Sequence, residues 1–167
     1  MIVLVLGGHG FVGKATVKKL KETNHTVIPL SRRDGLNLDN LESTISYLKK
    51  IKPDAIVNCA AHVGSLHYVT EYAADVINDN IQMALNIYRA AAKECRNSLI
   101  INPLSNCSYP GDSGIQFEKD WLNGEVHKSV HSYGNAKRII YIISKNLIKP
   151  IDSLLNICQI NLVPIVS

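Results

Sequence analysis

Tyr133 and Lys137 stand four residues apart in the run Tyr133-Gly134-Asn135-Ala136-Lys137, the separation that puts two side chains on one face of a helix. A cation held near a phenol lowers its pKa. The pair therefore predicts a tyrosine able to exchange a proton with a substrate hydroxyl or carbonyl at neutral pH. The same spacing occurs in ordinary surface helices, so its meaning depends on what lies nearby. One such neighbour is Leu104-Ser105-Asn106-Cys107-Ser108-Tyr109-Pro110, just after an apolar run. There the Ser105 hydroxyl is expected to reach the same carbonyl oxygen as Tyr133. A third stretch, Gly7-Gly8-His9-Gly10-Phe11-Val12-Gly13, closes the first aliphatic run and opens a helical pattern. Glycine is needed where a Cβ would collide with a tight turn or a pyrophosphate, and the first helical N–H groups stay free for phosphate oxygens. Placed between a buried strand and a helix, this turn predicts a dinucleotide site.

Cofactor choice should be written at the end of the second strand. An acid there accepts from an adenosine ribose 2′-OH, whereas an arginine pairs with a 2′-phosphate. The segment reads Leu30-Ser31-Arg32-Arg33-Asp34, with two arginines and no acid at the strand end itself. The expectation is NADP, bound through Arg32 and Arg33. NAD is the alternative if both arginines are merely solvated.

The elements that must position these groups alternate along the chain. Ile2 to Leu6 is a continuous aliphatic run, as in a parallel strand buried on both faces. A helical period follows from Phe11 to Glu22, then a strand from His25 to Leu30. Leu41, Ile45 and Leu48 mark a second helix that stops before Pro53. Ala55 to Val57 reads as a strand, Ala74 to Cys95 as a long helix, and Ser98 to Ile101 as a fourth strand. A loop rich in Gly, Pro and Asp covers Pro110 to Gly124, a helix His131 to Asn146, and a last strand Leu154 to Ile160. Such alternation predicts an α/β fold: a Rossmann-like doubly wound parallel sheet with helices on both faces. Residues 1–167 are expected to form one dinucleotide-binding domain. Its glycine turn and serine loop must share the carboxyl ends of the strands, where such sheets bind ligands.

Composition narrows the function classes. The 167 residues are 46% hydrophobic, enough for one sizeable core. No apolar run approaches the ~20 residues of a membrane span, so no membrane partner is expected. Ile2 has no basic flank before it, which argues against a secretory leader and for a cytoplasmic protein. The net charge of +4 comes from scattered lysines and arginines without interleaved aromatics, so nucleic acid is not an expected partner. Four cysteines, Cys59, Cys95, Cys107 and Cys158, form no CxxC pair; they read as reduced thiols, with no metal site.

Taken in order and spacing, several motifs resemble the extended short-chain dehydrogenase/reductases that act on nucleotide sugars, most of all the N-terminal part of their GDP-L-fucose synthase branch. They are GGHGFVG at 7–13, LNLD at 36–39, DAIVNCAAHVGS at 54–65, NDNIQMALNI at 78–87, SNCSYP at 105–110, SYGNAK at 132–137 and INL at 160–162. The resemblance implies that Tyr133 and Lys137 serve hydride transfer at C4, the lysine also holding the nicotinamide ribose. It implies that Ser105 orients the sugar carbonyl and that Cys107 is the base for epimerisation beside it. The alternative for Cys107 is a small buried hydrophobe. Cofactor contacts are implied for Gly7, Gly10, Phe11, Val12, Gly13, Leu38, Asn58, Ala60 and Ala61, and a sugar pocket for Val63, Gly64, Ser65 and Asn161. Asn80 would support the site by hydrogen bonding. Around Asn161 the match degrades to Cys158-Gln159-Ile160-Asn161-Leu162-Val163-Pro164. The family's histidine general acid, and most of its substrate domain, would lie beyond Ser167. The implied function is an NADP-dependent epimerase/reductase acting on a 4-keto-6-deoxy nucleotide sugar. The alternatives are an NAD-dependent nucleotide-sugar 4-epimerase or dehydratase, and a non-catalytic dinucleotide-binding module. An uncovered sheet edge would favour a homo-oligomer.

Overall fold

The computed structural model describes residues 1–111, 114–148 and 156–162, with side chains through residue 147 and the last segment as backbone. Five strands form one sheet: β1 (Ile2–Leu6), β2 (Thr26–Leu30), β3 (Ala55–Asn58), β4 (Leu99–Ser105) and β5 (Asn156–Leu162). Their order is β2-β1-β3-β4-β5, and every pairing is parallel. The chain runs outward from β1 to β2 and then crosses to β3 on the other side of β1. This reversal opens a crevice at the carboxyl ends of β1 and β3, where such sheets place ligands.

The helices are α1 (Phe11–Leu20), α2 (Leu41–Ile51), α3 (Leu66–Glu71), α4 (Ala73–Glu94) and α5 (His131–Ile148). One sheet face presents Leu4, Leu6, Ile56 and Ile100 to Leu48 of α2, Ile87 and Ala91 of α4 and Ile140 of α5. The other presents Val3, Val5, Ala55 and Val57 to Val17 and Leu20 of α1. Burial on both faces explains the unbroken aliphatic runs, and the molecule has the Rossmann-like doubly wound fold expected of them. Asn40 caps α2 by accepting from Ser43 N at 2.8 Å, a contact of about 1 kcal/mol. Among the described residues no helix is long and apolar enough to cross a membrane.

Two elements differ from the sequence expectation. β4 continues past Ile101 to Ser105, although Asn102 and Pro103 interrupt the apolar run. Pairing with β3 ends at Ile101, so Pro103 faces a partner strand only on the β5 side and its missing N–H breaks no two-sided ladder. Asn102 is buried but satisfied, donating to Tyr88 Oη at 2.7 Å and accepting from Asn58 Nδ2 at 3.0 Å. The short helix α3 has no apolar period long enough to announce it; Ser65 starts it by accepting from Tyr68 N at 3.2 Å. The last strand was expected at Leu154 to Ile160; residues 154 and 155 lie outside the described residues, and the strand runs Asn156–Leu162.

Candidate functional site

Turns at the carboxyl ends of β1, β2 and β3 enclose a cleft of about 440 Å³. Of the expected cofactor residues, Gly7, Gly10, Arg32, Arg33, Leu38, Ala60 and Ala61 line it, and Val63 of the expected sugar pocket joins them. His9, Ser31, Leu36, Cys59, His62, Asp79 and Met83 complete the wall. The glycine turn is built by close approach. Gly7 has φ +69°, and a Cβ there would lie 2.7 Å from Ala60 N; a Cβ on Gly13 would lie 2.1 Å from the Gly7 carbonyl oxygen. The side chains of Phe11 and Val12 point to solvent, 96% and 41% exposed. What they and Gly13 offer is backbone N–H. Gly10 supplies no side-chain cap and the first turn of α1 has no acid, so these donors remain available to an anion.

The end of β2 is more ordered than two solvated arginines. Ser31 opens a 3₁₀ turn over Arg32–Asp34, and the Asp34 carboxylate folds back to accept from Ser31 N at 2.8 Å. An acid therefore does stand at the strand end, contrary to the sequence expectation, because the turn returns it there. Arg32 pairs with Asp39 at 2.8 Å on the surface. Arg33 lines the cleft, and its guanidinium has no partner among the described residues.

The Asn58 side chain turns away from the cleft. It is buried and does not line the cleft; its amide donates to Asn102, and its oxygen accepts from Ala60 N at 3.2 Å. It shapes the turn that touches Gly7 instead of facing the ligand space. Asn80, 3% exposed, clamps the next residues by accepting from His62 N at 3.0 Å and donating to the His62 carbonyl at 2.7 Å. Gly64 lies under the Tyr68 ring. Ser65 Oγ accepts one hydrogen bond at the α3 cap and keeps its hydroxyl proton to donate. His62, at the head of the expected sugar-pocket segment, bridges Asp79 and Tyr68, each at 2.8 Å.

Ser105, Cys107, Tyr133 and Lys137 form a second cluster, at the end of β4 and the start of α5. Cys59 lines the cleft, and its thiol lies 3.7 Å from Thr16 Oγ1 and within electrostatic reach of Lys137. Burial pushes the Cys59 thiol up, partly offset by Thr16 and Lys137. Ser105 Oγ accepts from Cys107 N at 3.3 Å. The helix α5 can approach this loop only because position 134 is glycine; a Cβ there would lie 2.3 Å from the Cys107 carbonyl oxygen.

The expected depression of the Tyr133 pKa is overturned. Burial pushes the phenol up to about 12, and Cys107 pushes in the same direction. Lys137, 8% exposed, is pushed down by burial to about 8. The ammonium lies over the Tyr133 ring, 5.5 Å from its centre, and donates to the Pro103 carbonyl at 3.2 Å. The i,i+4 spacing brings the cation to the ring face and not to the hydroxyl, so it cannot offset the desolvation of the phenol.

Arg138, next in sequence, escaped the sequence reading because nothing in its spacing marks it. Its guanidinium donates to the carbonyls of Ser108 and Gly124 at 2.7 Å and of Trp121 at 2.9 Å. Trp121 Nε1 in turn donates to Ser108 Oγ at 2.8 Å, and Ser108 Oγ donates to the Ser105 carbonyl. Arg138 thus ties the loop after β4 to α5. Arg138→Ala is expected to cost about 2 kcal/mol and to open residues 109–125 to proteolysis. Thermal melts and limited digestion check this; Arg138→Lys, which cannot fork to three carbonyls, should rescue little.

Asn161 lies opposite Leu104 in β5, beside the Ser105 loop; its side chain is outside the described residues. His127 and His131 are exposed. Cys59, Cys95 and Cys107 are free thiols, while the side chain of Cys158 is outside the described residues.

Comparison with known proteins agrees with this fold. Residues 3–156 match the model of the NAD dependent epimerase/dehydratase family. A GDP-L-fucose synthase from Dictyostelium discoideum is 34% identical over 146 residues, covering 86% of this chain and 45% of the relative. A GDP-L-colitose synthase from Yersinia pseudotuberculosis is 30% identical over 138 residues, covering 82% of this chain and 44% of the relative. The chain thus spans less than half the length of these relatives. The crystal structure of a GDP-L-fucose synthetase from Naegleria fowleri bound to NADP superposes with a TM-score of 0.81 at 23% identity, over 96% of this chain and 52% of that one. With the family model running from the first strand through the glycine turn and α5 to the start of β5, this chain belongs to the NAD dependent epimerase/dehydratase family.

Proposed function

We propose that this chain supplies the cofactor site and the Ser105/Cys107/Tyr133/Lys137 set of an NADP-dependent nucleotide-sugar epimerase/reductase acting on a 4-keto-6-deoxy nucleotide sugar. The observation that carries the reading is the convergence of two sites at one end of the sheet. A cleft floored by the glycine turn and lined by Arg33, whose guanidinium has no partner among the described residues, opens at the same carboxyl end of the sheet as the Ser105 loop after β4.

The residues present fit a nicotinamide dinucleotide. Gly7 and Gly13 leave no room for a Cβ, and the first N–H groups of α1 are free of side-chain caps. NADP over NAD is supported by how the charges at the end of β2 are spent. Arg32 is paired with Asp39, and Asp34 is engaged by Ser31 and His9, which leaves Arg33 to receive a 2′-phosphate. The NADP held by the Naegleria fowleri structure is in keeping with this. The relatives whose names specify GDP sugars support a nucleotide sugar as substrate.

When bound, a reduced nicotinamide supplies hydride to a carbonyl carbon. The chain's own residues handle the protons. A phenol at about 12 stays protonated at neutral pH, so Tyr133 acts as an acid and donates to the carbonyl oxygen. Lys137, at about 8, is mostly charged at pH 7 and favours the negative charge that develops there. Ser105 keeps its hydroxyl proton for the same oxygen, and Cys107 takes a proton from the carbon beside the carbonyl. Val63, Gly64, Ser65 and Asn161 lie toward the sugar. The test is to supply NADPH and a 4-keto-6-deoxy GDP-sugar. Stoichiometric loss of NADPH is expected, whereas sugar interconversion without net loss of NADPH would contradict the reductase reading.

A further inference from the structure

Two asparagines interrupt the aliphatic strands at the centre of the sheet. Backbone pairing between β3 and β4 ends at Val57 and Ile101, and the next residues in register, Asn58 and Asn102, are joined through their side chains instead. Both are buried, and the two-residue period of a strand puts them on the same face as Ile56 and Ile100. One backbone group fixes the direction of every bond. The Ala60 N–H can only donate, so Asn58 Oδ1 accepts from it at 3.2 Å. Asn58 Nδ2 must then donate to Asn102 Oδ1 at 3.0 Å, and Asn102 Nδ2 to Tyr88 Oη at 2.7 Å. A core that needed only stability would carry aliphatic side chains here, because buried amides contribute little even when fully paired. What distinguishes this pair is what it joins. Ala60 lines the cleft and closes on Gly7. Pro103, next after Asn102, accepts at its carbonyl from Lys137 Nζ at 3.2 Å.

We infer that Asn102 is a positioning residue of the candidate site: paired with Asn58, it braces the Ala60 side of the cofactor cleft against the Pro103 carbonyl that holds Lys137. The inference rests on the parts that the reading above gives to the cleft and to Lys137. At the lysine end the brace fixes an oxygen that accepts from the charged ammonium. Burial opposes that charge, and the Pro103 carbonyl favours it. The titratable groups facing Lys137 are the Tyr133 phenol of its own helix and the Cys59 thiol between Asn58 and Ala60. Burial raises both, so they stay largely protonated where the lysine titrates.

The test follows both ends of the brace in the full chain. Lys137 is titrated by carbon-13 NMR, its signal identified by its absence in Lys137→Met, and NADPH affinity is measured by calorimetry. In Asn102→Leu the lysine midpoint should fall by about one pH unit, the size of a hydrogen bond to a charged group. NADPH should bind about fivefold more weakly. Asn58→Leu should lower the lysine midpoint equally, and Asn58→Leu/Asn102→Leu no further, because each change removes the same bridge. Ser98→Ala, which removes a buried hydroxyl bond to the Pro53 carbonyl just before β4, should lower Tm and leave the lysine midpoint in place. Where a leucine variant fails to fold, Asn102→Ala carries the same expectation. An unmoved lysine or an unmoved NADPH affinity in the folded Asn102 variants overturns the inference. So do additive falls in the double variant, or an equal fall in Ser98→Ala. A wild type that binds no NADPH overturns the cofactor reading instead, and the lysine titration, made without cofactor, tells the two failures apart.

Discussion

Tyr133→Phe is expected to lower the rate of NADPH-dependent keto-sugar reduction by about 10² to 10⁴-fold, the usual contribution of a positioned acid. NADPH affinity should change little, since only the hydroxyl is removed. Solvent deuterium exchange at the carbon beside the carbonyl should persist, because that step is the one proposed for Cys107. Cys107→Ser should show the reverse, with exchange lost and reduction of a pre-epimerised keto sugar retained. Exchange measured by mass spectrometry alongside NADPH oxidation separates the two residues. If Tyr133→Phe abolished exchange as well, one residue would be serving both steps. The pH profile carries a further sign. Tyr133, at about 12, stays protonated across the working range, so it does not limit the rate from above. Lys137 loses its proton as pH rises through about 8, and reduction should decline there. In Lys137→Met that limb should disappear along with most of the activity.

Gly13→Ala is the second large effect expected. Its Cβ would lie 2.1 Å from the Gly7 carbonyl oxygen and 2.8 Å from Gly8 Cα. Both neighbours are backbone, and Gly7 is itself fixed against Ala60, so the turn cannot yield without moving β1 or the turn after β3. Overpacking against backbone should cost about 3 kcal/mol or more, a fall of roughly 10 °C in Tm for a chain of this size. NADPH binding should weaken by well over tenfold, since the displaced turn carries Gly7 and Gly10 of the cleft wall. Calorimetric melting and titration measure both. A variant with wild-type Tm and affinity would mean that the turn is looser than its contacts require.

The parts legible in the sequence were those fixed by local rules. Continuous aliphatic runs, glycines at a strand-to-helix junction and 3.6-residue periods located β1, α1, α2 and α4 within a few residues. They also put the glycine turn and the Ser105 loop at one end of the sheet. The parts not legible depend on contacts between distant segments. The Asn58 side chain is a buried link between Asn102 and the Ala60 turn, which its place at the end of a strand does not announce. Asp34 lies past the strand end in sequence and is returned to it by a 3₁₀ turn. The Tyr133 pKa follows from burial and from Lys137 lying over the ring, neither of which the spacing of a helical pair reveals. Arg138 is bound by three carbonyls from separate loop positions, a pattern that no local signal encodes.

The central claim is that this cleft holds NADP and reads its 2′-phosphate through Arg33. Calorimetric titration of the full chain with NADPH and NADH, as wild type and as Arg33→Ala, tests it most directly. NADPH should bind at least tenfold more tightly than NADH to the wild type, and Arg33→Ala should erase most of that difference by weakening NADPH alone. Equal affinities in the wild type, or tighter binding of NADH, would contradict the account.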